Sequence, residues 1–316
     1  MDEFLNTLFF SLAVTGPIFI LLGLGIVLMR IQLLNDAFVD VGSRLVFSMG
    51  LPALLFLSIS KTSIGASSNL SLVGFGLSMT VAVFLLLEYL AAKHVQPPED
   101  RGVVVQGAYR SNMGIIGLAL CANAYGEQGL IVSSLYVGLV TILFNVLAVI
   151  TLSRSLQRKQ GVGRMIKGIV SNPLIIAIVL ALPVSMSGTK LPTVLLRSVQ
   201  YLADLTLPLA LICTGASLNF GTFRAEIRNT LLSGGFKLVI VPLLFSLGGV
   251  ALGFRGIELG VVLLMSSAPT AAASYVMVRA MGANAPLAAN IIALTTLGSL
   301  VTTSLGIVLL RSLGLM

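Results

Sequence analysis

The chain has 316 residues, of which 57% are hydrophobic and only 9% are charged, and its mean hydropathy is +1.05. A water-soluble protein carries about 25% charged residues because its surface must be hydrated. This composition excludes a soluble globular protein, a disordered chain and a coiled coil, and it predicts a membrane protein. The basic residues behind the net charge of +8 are spread between apolar runs and form no aromatic-interleaved patch. We therefore expect no nucleic-acid partner.

Ten apolar runs follow one another along the chain, separated by breaks that carry charge. The runs are long and lack the two-residue alternation of barrel strands, so they predict an all-α polytopic membrane protein with ten transmembrane helices. The first run follows Asp2 and Glu3 and has no small-residue cleavage site, which indicates a span rather than a signal peptide. The predicted spans are Leu8–Met29, Val39–Ser60, Leu70–Ala92, Val103–Tyr125, Gly129–Leu152, Ile169–Ser187, Ser198–Leu218, Leu231–Leu252, Leu259–Met281 and Leu287–Leu310.

Lysine and arginine residues fall unevenly on the two sides of these spans. Alternate connections hold twelve of them on one side and five on the other. Cationic loops are retained in the cytoplasm, so the heavier side is expected inside and both termini outside. The stretch 153–168 is the most basic connection, and we favour cytoplasmic retention over an anionic-lipid contact as its role.

The chain carries signs of an internal duplication with an offset of 156 residues. Pro17 in the first span matches Pro173 in the sixth, and Pro52 in the second matches Pro208 in the seventh. Three coincidences at one offset are hard to attribute to chance, and the third pairs the segments 112–114 and 268–270. The pattern predicts two five-helix repeats, residues 1–152 and 169–316, joined by the basic connection.

Five is an odd number of spans, so two such copies enter the membrane from opposite faces and form an inverted repeat. Inverted halves can exchange conformations and open a central site to either side of the membrane in turn. A transporter needs this property, whereas a channel, a receptor or an enzyme does not. The duplication therefore favours transport.

Two segments near mid-membrane are expected to interrupt their helices, Tyr109–Gly117 and Ser266–Ser274. In the first, a polar cluster lies about 10 Å along the span at 1.5 Å per residue. In the second, Pro269 removes a backbone donor. Irregular backbone at this depth is tolerated where it lines a cavity or is buried in protein. The helix N-termini exposed by two such breaks favour an anion.

Arg110 strengthens the prediction of an anion site, because a buried guanidinium is unfavourable without a partner and a carboxylate substrate would supply one. Two other interpretations are open: Arg110 reaches the membrane surface, or it pairs with a structural acid. Asn145 in the fifth span either lines the cavity or bonds a neighbouring helix. The candidate substrate-binding residues are Arg110, Asn112, Met113, Gly114, Asn145, Pro269, Thr270 and Ser274.

Other polar residues of the spans give weaker signals. Asp204 is a candidate for a coupling ion such as a proton, although ordinary interfacial placement is equally consistent with its position. For Lys237 and Glu88 we favour side chains that reach the nearby cytoplasmic surface. Cys121 and Cys213 lack metal or redox spacing and are interpreted as small buried hydrophobes. We expect no metal, no cofactor and no catalytic residues.

Several short motifs together resemble the auxin efflux carrier family of permeases over essentially the full length. They are the run from Arg110 to Leu118, Ser171-Asn172-Pro173, the segment from Pro208 to Leu218, and Ala268-Pro269-Thr270-Ala271. The resemblance implies a ten-helix fold like that of bile-acid and sodium/proton exchangers, with crossed broken helices four and nine. It also implies organic-anion substrates such as malate, malonate or auxin.

The resemblance further implies that spans one, two, six and seven form a scaffold, that the other spans move by an elevator mechanism, and that the protein is a homodimer. The short connection between the halves is similar to the compact bacterial type, which implies a cytoplasmic (inner) membrane location. Two features depart from the family pattern. Ala119 stands where proline is usual, and the third span lacks the acidic and basic pair of plant members, which argues against auxin as the physiological substrate.

The sequence thus predicts a secondary transporter of small carboxylates that contacts membrane lipids. A cation exchanger of related fold is the first alternative, but that chemistry usually needs paired acids at the crossing. A membrane-embedded enzyme or sensor is the second, and a single histidine, His94, does not supply a nucleophile and a base.

Overall fold

A computed structural model describes residues 2–60, 68–156, 173–187, 192–217 and 226–316. Throughout these ranges the regular elements are helices, and the predicted basic connection 153–168 lies largely outside them. The helices are α1 (Asp2–Arg30), α2 (Asp36–Leu45), α3 (Leu51–Ser60), α4 (Ser68–His94), α5 (Arg101–Tyr109), α6 (Leu118–Ser155), α7 (Pro173–Ser187), α8 (Thr193–Ala216), α9 (Ile227–Gly235), α10 (Val241–Ala251), α11 (Gly256–Ser267), α12 (Ala273–Ala280) and α13 (Ala285–Ser312).

Short π-helical segments continue several of these helices. Val46–Gly50 joins α2 to α3, Met113–Gly117 leads into α6, and Phe236–Ile240 joins α9 to α10. Seven stretches of the described chain are long and apolar enough to cross a membrane. The described residues therefore confirm a helical fold and are consistent with a multi-pass membrane protein, while the number of ten spans and the inverted repeat stay predictions.

The longest helix, α6, is two helices joined at Gly126. This residue has φ 60° and ψ −141°, a conformation that glycine adopts without a steric penalty. Gly129 packs directly against the backbone of Cys121, although residues eight apart in a straight helix are separated by about 12 Å. The chain therefore turns back at Gly126, between the predicted fourth and fifth spans.

Apolar side chains face both outward and inward, as a lipid environment allows. Ile20 is 71% exposed and Val194 is 80% exposed, so large apolar groups cover the outer surface. Inside, α4, α5, α6, α11 and α13 surround one continuous core of aliphatic and aromatic side chains. Cys121 and Cys213 are free and buried, which confirms their interpretation as small hydrophobes.

Helices α1 and α8 make a close backbone contact. A Cβ atom on Gly25 would overlap the carbonyl oxygen of Ile212, and one on Gly215 would overlap the carbonyl oxygen of Leu22. The two glycines thus let the backbones approach each other in the manner of small-residue interfaces in membranes. Helix α8 also packs against α3, and α3 packs in turn against α7.

A polar cluster ties together the starts of three helices on one face of the protein. Asp100, directly before α5, is buried and accepts hydrogen bonds from Asn284 at 3.0 Å and from Asn229 at 3.3 Å. Asn284 also donates to Glu226 at 3.1 Å and caps α13 by accepting from the Leu287 N–H. Burial is the main cause that raises the pKa of the Asp100 carboxyl, and the nearby Glu226 adds to it.

The α1–α8 contact predicts a position-specific effect of one methyl group. Gly25→Ala should lower the free energy of unfolding by about 1–3 kcal/mol because the new methyl meets backbone that cannot rotate away. The melting temperature in detergent should fall by about 2 °C or more. Gly23→Ala is the matched control, since nothing lies within 4 Å of its Cβ position. Equal melting temperatures for the two variants would contradict the contact.

The buried Asp100 predicts a pH dependence of stability. Since its pKa is raised in the folded state, the folded protein binds this proton more tightly than the unfolded chain, whose carboxyl has a pKa near 3.8. The stability that the protonated group contributes is complete below that value and is lost as the pH rises through the raised pKa. Thermal unfolding across this window should thus show a larger decline for the wild type than for Asp100→Asn. Asp40→Asn, at an exposed position, should follow the wild type.

Candidate functional site

The two predicted helix interruptions are both present, and they contact each other. Helix α5 ends at Tyr109 and is followed by Arg110 in an extended conformation, while α11 ends at Ser267 and is followed by extended Ala268. Between them Ser111 and Thr270 form an isolated antiparallel bridge. We call the paired segments 110–112 and 268–271 the crossing.

The crossing satisfies its own backbone groups. The Asn112 N–H donates to the Pro269 carbonyl at 2.7 Å, and the Ala271 N–H donates to the Arg110 carbonyl at 3.0 Å. Thr270 adds two bonds to the surrounding helices: its N–H donates to the Thr295 hydroxyl at 3.1 Å, and its own hydroxyl donates to the Gly107 carbonyl at 2.6 Å. Each interruption therefore supplies the partners that the other lacks, as low-dielectric surroundings require.

The Arg110 side chain, within the crossing, is buried and contacts neutral groups. One terminal nitrogen donates to Asn145 Oδ1 at 2.6 Å, and the other contacts Met277 Sδ at 3.3 Å. The side chain is 6% exposed, so it does not extend to the membrane surface. Across the described residues no carboxylate lies within salt-bridge distance of the guanidinium. The structure thus joins Arg110 to Asn145 and leaves the positive charge without a described counter-ion.

The residues after the first interruption begin a helical segment without a side-chain cap. Asn112 precedes Met113–Gly117, and its carbonyl accepts from the N–H groups of Ile116 and Gly117, but its side chain makes no cap hydrogen bond. Met113 is buried, whereas Gly114 is partly exposed and has Leu51 as its neighbour. The first N–H groups of this segment follow directly after Asn112, in the part of the chain that the sequence predicts at mid-membrane.

Ser274 occupies the corresponding place after the second interruption. It lies in the first turn of α12 and is 2% exposed. Its backbone N–H donates to the Ala271 carbonyl at 2.9 Å, while its hydroxyl has no hydrogen-bond partner among the described residues. An unpaired buried hydroxyl is unfavourable, so this group is one that a bound ligand or water would satisfy.

Lys237 contacts the crossing from another helical segment, and the expectation that it reaches the cytoplasmic surface is wrong. Its side chain is fully buried. The ammonium donates to the Ser266 carbonyl at 2.8 Å and to the Ser111 hydroxyl, so it touches both interruptions. The sequence does contain a signal of this position. Lys237 lies six residues after the start of its predicted span, and Arg110 lies seven residues after the start of its own span at Val103. Since both spans start on the side predicted to be cytoplasmic, the two cations are expected at similar depths.

A cavity of about 370 Å³ opens elsewhere, between α3, α6 and α8. Leucine side chains line it together with Glu127, Gln200 and Asp204, and Gln200 donates to Asp204 at 2.7 Å. Asp204 is exposed, and the cavity's described lining includes no residue of the crossing. A much smaller space of about 10 Å³ adjoins the crossing itself, next to Ser111 and Ser266.

Among residues 2–60, 68–156, 173–187, 192–217 and 226–316, no group of three or more His, Cys, Asp or Glu residues is arranged to hold an ion. Of the described charged side chains, Arg110, Lys237 and Asp100 are buried. Arg110 is part of the crossing, Lys237 contacts it through Ser111, and Asp100 lies before α5.

The chain is similar over most of its length to a family of membrane transport proteins and to two curated relatives. Residues 12–307 match a family model described as membrane transport protein. The chain is 27% identical over 296 residues to an uncharacterized transporter of Methanothermobacter thermautotrophicus, covering 93% of this chain and 96% of the relative. It is 25% identical over 287 residues to an uncharacterized transporter of Methanocaldococcus jannaschii, covering 86% and 90% of the two chains. Since the family match extends over nearly the whole chain, the protein belongs to the membrane transport protein family, which is the auxin efflux carrier family that its motifs resemble.

Proposed function

We propose that this protein is a secondary transporter of small organic anions and that the crossing is its substrate site. The observation that carries the proposal is the buried Arg110, whose charge has no described counter-ion. A guanidinium in low-dielectric surroundings is strongly unfavourable until an anion neutralises it. A carboxylate substrate fits because it accepts two parallel N–H bonds from arginine.

Neighbouring groups would complete the anion site. The N–H groups at the start of Met113–Gly117 and of α12 carry partial positive charge and point along their axes toward the crossing. The Asn112 amide and the unpaired Ser274 hydroxyl are donors for a second carboxylate or a hydroxyl of the substrate. This donor set suits malonate or malate, and indole-3-acetate is the auxin-like compound to compare.

Alternating access of the elevator type is the mechanism we propose. The predicted duplication exchanges span one with six and span two with seven, which converts the α1–α8 contact into the α7–α3 contact. Both contacts exist, and this supports a two-fold relation of the two halves, which the odd number of predicted spans makes an inverted one. We place both termini on the non-cytoplasmic side of the cytoplasmic membrane, because the more cationic loops lie on the opposite side. A homodimer is the assembly that the family resemblance implies.

A cation exchanger is the alternative, and the acid-lined cavity is the observation that favours it. Glu127 and Asp204 share that cavity, and a carboxylate is the natural carrier of a coupling proton. The described residues of the crossing, however, are cationic rather than acidic. We therefore assign Asp204 the role of coupling-ion site in an anion transporter, with the proton bound away from the substrate.

The substrate assignment predicts the effect of removing the Arg110 charge. The assay measures uptake of labelled malonate, malate and indole-3-acetate into liposomes that contain the protein. Arg110→Ala should reduce carboxylate uptake about 10- to 100-fold, since a hydrogen bond to a charged group contributes about 1.5–3 kcal/mol. Asn112→Ala should also reduce uptake and should leave the melting temperature nearly unchanged, because its side chain caps no helix.

Arg154→Ala is the matched control, because this arginine side chain is 76% exposed and pairs with Glu88 at the protein surface. It should retain wild-type uptake. Wild-type uptake by both Arg110→Ala and Asn112→Ala would move the substrate site away from the crossing.

The coupling assignment predicts how uptake responds to a pH gradient. An inward proton gradient should accelerate uptake by the wild type, and Asp204→Asn should abolish that acceleration because the amide cannot bind the proton. Uptake without a gradient should be similar for both proteins. Asp40→Asn, an exposed acid outside the cavity, serves as the control. Acceleration that survives in Asp204→Asn would exclude Asp204 as the coupling group.

A further inference from the structure

Gln106 is a buried polar residue on α5, close to the crossing. It lies four residues before Arg110, so the two side chains leave the same face of the helix. The side chain is 1% exposed, and its Nε2 group donates to the Met277 sulfur at 3.5 Å. Its Oε1 atom is buried and has no hydrogen-bond partner among the described residues. The amide thus has one weakly used donor group and one unused acceptor.

Two donors converge on the Met277 sulfur. Arg110 Nη1 lies 3.3 Å from this atom, and Gln106 Nε2 lies 3.5 Å from it. A thioether is a weak acceptor, so both donors would bond an oxygen atom more strongly. A carboxylate oxygen in the place of the sulfur would accept from the guanidinium and the amide together, in charge-assisted bonds. The sulfur therefore occupies a position that suits a carboxylate oxygen.

Met277 is able to leave this position by rotation of its own side chain. It belongs to the short helix α12, which follows the second interruption, and it is partly buried. Methionine is unbranched and rotates about several bonds. Ser274 lies three residues earlier on the same face of α12, and its buried hydroxyl also lacks a described partner. Movement of one side chain would thus expose a guanidinium, an amide and a hydroxyl to the same ligand.

The unused oxygen of Gln106 distinguishes between carboxylates. The Arg110 guanidinium only donates, so it binds any carboxylate, whereas Gln106 Oε1 only accepts and needs a ligand that carries a donor. A hydroxyl next to the carboxylate supplies that donor. An ammonium would also donate, but the neighbouring Arg110 charge repels it. A ligand with neither group leaves the oxygen buried and unpaired, which is unfavourable.

We propose that Gln106 is a substrate-binding residue that selects hydroxycarboxylates, and that Met277 caps the site until the substrate carboxylate displaces its sulfur. The inference rests on the proposed transport function and names its substrate class. Malate carries a hydroxyl beside a carboxylate, while succinate has the same carbon chain and the same charges without the hydroxyl. Gln106 Nε2 and Arg110 Nη1 bind a carboxylate oxygen of malate, and Gln106 Oε1 accepts from its hydroxyl.

Uptake into liposomes that contain the protein tests the selection by Gln106. The wild type should take up labelled malate about tenfold or more faster than labelled succinate, because a site built to bond a hydroxyl rejects an analogue without it. Gln106→Met keeps the side-chain length and removes both polar atoms. It should lower malate uptake and bring the two rates within about twofold of each other. Gln32→Met, at an exposed position between α1 and α2, should keep the wild-type ratio.

Thermal unfolding in detergent tests the cap without depending on transport. Malate should raise the melting temperature of Met277→Ala more than that of the wild type, because the ligand no longer has to displace the sulfur. The malate affinity obtained from the titration should be several-fold tighter for the variant. Met49→Ala, at a methionine that is 51% exposed, should respond to malate as the wild type does. Succinate should stabilise the wild type less than malate does.

Two results would overturn the selection: equal uptake of malate and succinate by the wild type, or a Gln106→Met variant that keeps the wild-type ratio. A malate affinity of Met277→Ala that is equal to the wild-type affinity, or weaker, overturns the cap. Should Gln106→Met fail to fold, the wild-type ratio and the Met277→Ala titration still decide. If the wild type takes up neither acid, the transport assignment fails, while malate-specific stabilisation in detergent still judges the site.

Discussion

The need to pair every backbone group away from water governs this structure. A helix that stops in the middle of a membrane leaves N–H and carbonyl groups without partners, which is strongly unfavourable in hydrocarbon. Here two helices stop, and Asn112 and Ala271 donate across the gap to Pro269 and Arg110. Each interruption thus supplies a backbone acceptor to the other. The geometry of the crossing is therefore set largely by backbone hydrogen bonds, to which Thr270 adds bonds to the surrounding helices.

Charge then decides what the crossing can hold. Arg110 is a buried cation of the crossing, and Lys237 is a buried cation that contacts it from another helix. Among the described residues, their partners are neutral oxygen and sulfur atoms. Lys237 is matched to the negative end of α11, so its charge has a local use. Arg110 receives the Asn145 amide oxygen and a thioether contact, so its charge has no counter-ion among the described residues. The two cations thus differ: Lys237 bonds two segments that meet at the crossing, and Arg110 is the one to which we assign the proposed anionic ligand.

Local chemistry made the interruptions predictable. Pro269 removes a donor, and the polar run from Arg110 to Asn112 has no reason to sit in lipid unless it lines a site, so both breaks are visible in the sequence. The gap predicted between the fourth and fifth spans contains Gly126, where the structure shows the chain turning back, and the backbone conformation of this glycine is the cause of the turn. The partnership of Arg110 and Asn145 was not predictable, because thirty-five residues separate them and nothing in their local patterns connects them.

Lys237 shows where sequence reasoning on membrane lysines fails. A lysine stem is long and flexible, so a residue near a span end can carry its charge to the interface, and this is the usual outcome. The outcome depends on which acceptors lie within reach, however, and those belong to other helices. Lys237 finds the Ser266 carbonyl at 2.8 Å, and the bond joins two segments that approach each other only in the folded protein. The depth of a lysine can be counted from the sequence, whereas the direction of its side chain is decided by whichever helix end presents unpaired carbonyls.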